Sequence, residues 1–245
     1  IAGGNSNVTK PVFGVSTYGG KIPHLTNATR DAEDMARALG EANYVVRCLL
    51  DPTKAQAEAE IEKVRAYAVR VEKRTDIEAR DVRLVFYFAG HGVRTIDGLK
   101  DAIIFSASGS HEEVYREHSI NVKDVRFALA RFKKVHPLII VDACRNVAFL
   151  GQAVPPSAVE EWSGSTQPPG ETGFWTQYST TRGSVASDTT PRFTPIFLSH
   201  LKRYGKTLLG LSTDASEQLE EESNNRQRPV YVLGSPVLQA EFLLK

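Results

Sequence analysis

The chain has 245 residues, 41% hydrophobic, 24% charged and 9% aromatic, and its 30 basic and 29 acidic groups leave a net charge of +1. That balance offers no basic face of the kind nucleic acid or a membrane surface usually requires, and no apolar run approaches the ~18 residues of a membrane span. Size and composition fit one α/β domain over residues 1–245.

Two cysteines, Cys48 and Cys144, permit at most one disulfide. So sparse a count fits a reducing compartment better, and a cytoplasmic location is expected. The sequence opens on Ile1, so a missing targeting segment carries little weight.

Residues 1–10 are small and polar and read as a loose lead-in. "PVFGVS", Pro11 to Ser16, reads as a strand, followed by a turn at Gly19 and Gly20. "NATRDAEDMARALGEAN" then places Ala28, Ala32, Met35, Ala36 and Leu39 at helical spacing, with Gly40 near its end. Tyr44 to Leu50 is β-branched and apolar, a second strand in which Cys48 reads as a packed thiol. "DPTKAQAEAEIEKVRAYAVRVEKR" predicts a long helix with Pro52 in its opening turn. Leu84 to Ala89 is the third strand, and Asp101 to Ala107 is extended. Asn121 to Phe132 carries a helical stripe at Val122, Val125, Leu129 and Phe132, and Leu138 to Val141 is the fourth strong strand.

Residues 151–173, rich in proline, glycine and serine, read as a mobile surface loop, because too little chain follows for a second core. "GFWTQYSTT" resumes as a strand, "TPIFLSHLKRY" and "TDASEQLEEESNN" as helices, and "RPVYVLG" as a closing strand. Strands alternating with helices argue for βαβ units. The expected fold is a three-layer αβα sandwich around a mainly parallel sheet of about six strands. No internal repeat interrupts the pattern.

Sites in such sheets gather at the carboxyl ends of the strands. Two apolar runs end there on reactive side chains. "FYFAGHG", Phe86 to Gly92, delivers His91, and "LIIVDACRN", Leu138 to Asn146, delivers Cys144. A thiol must become a thiolate to attack a carbonyl, and a nearby imidazole is the usual means. Gly90 and Gly92 let the backbone turn and approach a ligand closely. An amide beside such a glycine, with the amide of Cys144, is a candidate oxyanion hole. Either side chain alone reads as structural. The pair, on two strands and about fifty residues apart, matches the spacing known for the caspase histidine and cysteine.

"YFAGHG" followed by "VDACRN" resembles the signature of the caspase-like cysteine peptidases, and the likeness runs over most of the chain. "LTNATRDAEDMARAL" and "YSTTRGSVASD…FTPIFLSHL" fall in the expected order. The nearest resemblance is to paracaspases and orthocaspases, since metacaspases usually show Asp-Ser-Cys-His where this chain has Asp142-Ala143-Cys144-Arg145. The resemblance implies His91 as general base, Cys144 as nucleophile, and the amides of Gly92 and Cys144 as oxyanion donors. It also brings Asp31, Asp142 and Asp188 to the first specificity pocket. Converging carboxylates would repel aspartate and favour arginine or lysine before the scissile bond, arginine better where its fork is met bidentately.

Bland readings stand beside these. Asp31 also reads, with less weight, as a helix-face charge and Asp188 as a turn residue, and Arg145 reads as either structural or a substrate contact. The chain departs from its relatives at "VFGVSTYGG", at "GLKDAIIFSASG", which replaces an ending in Pro-Val-Asp, and after "CRN".

Two rival functions are a catalytically silent caspase-like scaffold or regulatory domain, and an unrelated α/β binding protein. The first normally loses the histidine or the cysteine. The second lacks the Gly-x-Gly-x-x-Gly or Gly-Lys-Ser/Thr cradle expected of a nucleotide site. No cofactor is expected. The histidines and cysteines show no zinc-ligand spacing, and the acidic run Glu217 to Ser223 reads as a solvated helix face, so calcium is not expected either. The expected partners are peptide or protein substrates. The sequence leaves natural substrates, regulation and oligomeric state open.

Overall fold

A computed structural model of the chain describes residues 9–77, 82–146, 148–149, 152–153, 174–190, 192–201 and 207–233. In chain order the elements are β1 (Lys10–Gly14), α1 (Ala28–Glu41), β2 (Val46–Leu50), α2 (Lys54–Glu72), β3 (Val82–Ala89), β4 (Gly92–Arg94), β5 (Asp101–Ile104), α3 (His111–His118), β6 (Ser119–Asn121), α4 (Val122–Ala130), β7 (Val135–Asp142), β8 (Ala148–Phe149), β9 (Gln152–Ala153), β10 (Trp175–Tyr178), α5 (Phe193–Leu201), α6 (Leu208–Glu222) and β11 (Val230–Leu233).

The central sheet has six strands in the order β11-β10-β7-β3-β1-β2. All neighbours pair in parallel except β10 with β11. This is the three-layer α/β sandwich anticipated above. Strand residues alternate between two cores. Leu84, Phe86, Phe88, Ile139 and Val141 pack on the side covered by α2, α3 and α4. Val85, Tyr87, Leu138 and Ile140 pack on the side covered by α1, α5 and α6. Burial on both faces explains why β3 and β7 read as continuous apolar runs without polar alternation. Loss of that much apolar surface from water is the main stabilising term of the domain.

Local chemistry sets the helix ends. Thr53 caps α2 in a reciprocal capping box with Gln56, so Pro52 lies before the cap rather than in the opening turn. The helix α3 was not anticipated, although Ser110 and Glu113 form a second capping box there. Its eight residues present only Val114 and Tyr115 to the core, too short a stripe to show helical periodicity. The helix α6 starts at Leu208, with Thr207 capping it, rather than at "TDASEQ".

Lys10 is no part of a loose lead-in. It is the first residue of β1, 1% exposed, with its ammonium over the Tyr44 ring. The loop expected over 151–173 lies outside the described residues, apart from the two-residue strand β9. Among the described residues no helix is long and apolar enough to cross a membrane.

Candidate active site

Register brings the two reactive residues to one edge of the sheet. Strands β3 and β7 pair in parallel over eight residues, ending on Ala89 opposite Asp142. His91 and Cys144 each lie two residues beyond that last pair, at the same carboxyl edge. The Gly90 amide still donates to the Asp142 carbonyl at 3.2 Å, which continues the pairing one step past the ladder.

The small three-stranded sheet β4-β5-β6 fastens the histidine segment. Ile104 donates its amide to the His91 carbonyl, and Arg94 donates its amide to the Asn146 carbonyl. Close approach makes Gly92 necessary. A Cβ there would lie 2.5 Å from the Cys144 carbonyl oxygen and 2.8 Å from the Ala143 Cβ. The backbone after the histidine therefore rests directly on the backbone of the cysteine.

Tyr18, in the loop between β1 and α1, is the keystone of the histidine side. Its hydroxyl accepts from the His91 amide at 2.9 Å and donates to the Ile104 carbonyl at 3.1 Å. Its ring lies 4.6 Å from the imidazole. Burial raises the Tyr18 phenol far above its ordinary range, so the hydroxyl stays a donor. The same loop is anchored by Asp51, whose carboxylate accepts the amides of Ser16 and Thr17.

The imidazole has a defined tautomer. His91 Nε2 lies 2.8 Å from the Pro23 carbonyl, which can only accept, so Nε2 carries the proton and the lone pair of the neutral ring sits on Nδ1. Burial lowers the His91 pKa below the usual imidazole value, against the opposing pull of the Pro23 carbonyl and the Asp188 charge. Burial also pushes the Cys144 thiol up. These shifts favour the neutral pair, thiol and imidazole, over thiolate and imidazolium. At rest the thiol donates to the Ala186 carbonyl at 3.7 Å.

Arg145 is structural. It is 3% exposed, pairs with Asp101 at 2.7 Å and stacks 3.8 Å over the Tyr178 ring. Asp101 also holds Arg94 at 2.9 Å, and Arg94 reaches the Gly98 carbonyl. The Arg145 backbone donates to Ser184 and accepts from Gly183, tying the residue after Cys144 to the loop from β10 to α5. Asp101 opens the stretch "DAIIFSASG" that departs from the family pattern, and its partners were not foreseeable from spacing.

The three acids separate into two settings. Asp31, in the first turn of α1, is 5% exposed and pairs with Arg192 at 2.6 Å. Burial and the nearby Asp142 charge push the Asp31 carboxyl up to about 7. Asp142 is mostly withdrawn from water and accepts from the Thr194 hydroxyl at 2.7 Å; burial raises its pKa as well. The Tyr87 hydroxyl, 2.6 Å from Thr194 Oγ1, extends the chain below the sheet edge.

Asp188 is engaged by backbone amides instead. Its two carboxylate oxygens accept the amides of Thr26 and Asn27 at 2.5 and 3.0 Å, and its carbonyl accepts from the Asn27 side chain. It therefore caps the entrance to α1 from another part of the chain, a negative charge set on a helix N-terminus. Tyr18, Pro23, Asp101, Arg192 and Thr194 escaped sequence reasoning, since each acts through a contact spanning 44 or more residues.

Cys48 and Cys144 are both free thiols, so the disulfide that could be drawn between them is not formed. Cys48 packs against the core on the α1 side. Among the described residues no three histidines, cysteines or acids are grouped so as to hold a metal ion.

The fold has a clear structural likeness. A crystal structure of protein GSU0716 from Geobacter sulfurreducens superposes with a TM-score of 0.67, covering 95% of this chain and 96% of that one, at 14% sequence identity. At that identity the likeness speaks for the fold alone. Comparison with curated protein sequences found no significant match. The family model described as the caspase domain matches residues 12–237, from the first strand past the last. With β3 and β7 ending in register two residues before a histidine and a cysteine, the chain belongs to the caspase-domain family.

Proposed function

We propose that the protein is a cysteine endopeptidase of paracaspase or orthocaspase type that cleaves after arginine, or less well after lysine. The observation that carries the reading is the in-register pairing of β3 and β7. Both strands end at the same edge, two residues before His91 and Cys144, while the Pro23 carbonyl leaves the basic lone pair of the ring on Nδ1.

In the proposed reaction the Cys144 side chain turns from the Ala186 carbonyl to His91. The thiol proton passes to Nδ1 as sulfur attacks the scissile carbonyl. The developing oxyanion is received by the amides of Gly92 and Cys144, whose backbones lie against each other. Imidazolium then protonates the leaving amine, giving a thioester on Cys144. His91 next removes a proton from water, which attacks the thioester and releases the acid and the free thiol. A neutral resting pair suits this general-base route, because charge separation is deferred until substrate is bound.

Specificity rests on charge. Asp142 lies close enough to Asp31 to raise its proton affinity, and Asp188 adds negative charge at the entrance to α1. Such a region repels an aspartate side chain and attracts a guanidinium.

Fluorogenic peptides ending in Arg, Lys or Asp, offered to wild type and to Cys144→Ala, test the proposal. Arg should exceed Lys, with Asp uncut and the variant inert. Cleavage of the Asp peptide alone would remove the acidic-pocket argument. A folded wild type with no turnover on any peptide would favour the silent-scaffold reading.

A further inference from the structure

The acidic pair already has a guanidinium on it. Arg192 stands immediately before α5 and places Nη1 2.6 Å from Asp31 Oδ1, with its side chain 14% exposed. Two residues on, Thr194 donates to Asp142. One turn of chain thus puts a cation on the first acid and a hydroxyl on the second, closing over both from the α5 side. Arg192 also lies near enough to Asp142 to favour its ionised form.

We infer that Arg192 is a specificity-determining residue: it occupies the acidic pair that a substrate arginine would use, so a basic side chain must displace it to bind in full. The inference rests on the arginine/lysine reading above and deepens it. When both carboxyls are ionised, two negative charges against one guanidinium leave the region negative. An incoming guanidinium aimed at Asp142 would nevertheless meet the like charge of Arg192, and one aimed at Asp31 would find a carboxylate oxygen already taken. The residual exposure of Arg192 leaves it reachable from solvent, so displacement needs no unfolding of α1 or β7.

The test uses two readouts. First, KM for the Arg peptide is compared between wild type and Arg192→Ala; it should fall about tenfold in the variant, with the change greater in KM than in kcat. Second, methylguanidinium chloride is titrated against Cys144→Ala and against Cys144→Ala/Arg192→Ala in thermal melts, with sodium chloride as the ionic control. It should raise the melting temperature of the double variant saturably and leave the single variant unmoved.

If wild type cuts the Arg peptide while Arg192→Ala shows no lower KM and no response to methylguanidinium, Arg192 is only a clamp between α5 and α1; the inference fails and the arginine reading stands. If methylguanidinium stabilises only the double variant but no Arg peptide is cut, the occupancy stands and the arginine reading fails. Should Arg192→Ala not fold, Arg192→Gln, neutral yet able to donate to Asp31, carries the same comparison, with a smaller fall in KM expected and an unchanged or higher KM overturning the inference.

Discussion

Replacing Tyr18 by phenylalanine isolates the hydroxyl that ties the histidine segment in place. The ring stays, with its 4.6 Å contact to the imidazole, and only the oxygen is lost. That oxygen accepts from the His91 amide and donates to the Ile104 carbonyl, at a side chain 2% exposed. An amide left without its buried acceptor costs about 2 kcal/mol, and a carbonyl that keeps a second lone pair costs about 1 kcal/mol, so the variant should lose about 3 kcal/mol. For a domain of this size that corresponds to a fall of roughly 6–12 °C in melting temperature. The imidazole would also lose a fixed backbone, and kcat should drop about tenfold. Thermal melts followed by near-ultraviolet circular dichroism and peptide hydrolysis measure the two effects. A melting temperature within about 2 °C of wild type, with unchanged kcat, would refute the bridging role of Tyr18.

Other outcomes follow from the same geometry. Gly92→Ala forces a methyl to 2.5 Å from the Cys144 carbonyl, so hydrolysis should fall by about 100-fold while far-ultraviolet circular dichroism stays that of the wild type; retained activity would show that the two backbones part freely. Because the thiol is pushed above its ordinary value and the imidazole below its own, the thiolate fraction of Cys144 should rise with pH; alkylation by iodoacetamide, corrected with Cys144→Ala, should climb about tenfold per pH unit through neutrality and still be rising at pH 9. A plateau reached below pH 7 would instead indicate a resting ion pair. Peptide hydrolysis should be insensitive to chelator; activity that vanishes with chelator and returns with calcium would overturn this, and would direct attention to the acidic residues of α6. Residues 151–173 contain no lysine or arginine, so self-incubation should leave that segment intact, and a new amino terminus inside it by mass spectrometry would contradict the specificity.

The order of elements was legible because both faces of the sheet are covered. A strand buried on two sides is apolar over most of its length, and the runs Leu84 to Ala89 of β3 and Leu138 to Val141 of β7 announce themselves that way. Short elements were not legible. The helix α3 and the strands β4 and β6 offer too few residues to establish a period, and they are held by pairing with β5 and by capping. Pro52 was misplaced by one step because a proline can stand either side of a cap, and only the Thr53–Gln56 bonds show which.

His91 and Cys144 could be picked out beforehand, since a reactive side chain ending an apolar strand is a local pattern. Their partners could not. The Pro23 carbonyl that fixes the tautomer, the Tyr18 hydroxyl that holds the amide and the Asp101 carboxylate between two arginines are ordinary residues until the chain folds. The acids show the same division. Their presence and sign belong to the sequence, whereas the seating of Arg192 on Asp31 and of Asp188 on the α1 amides does not. Hydrophobic periodicity is a property of neighbours along the chain and survives in one dimension. Electrostatic compensation depends on distances across 161 residues of separation, and only the packed sheet and its helices set those distances.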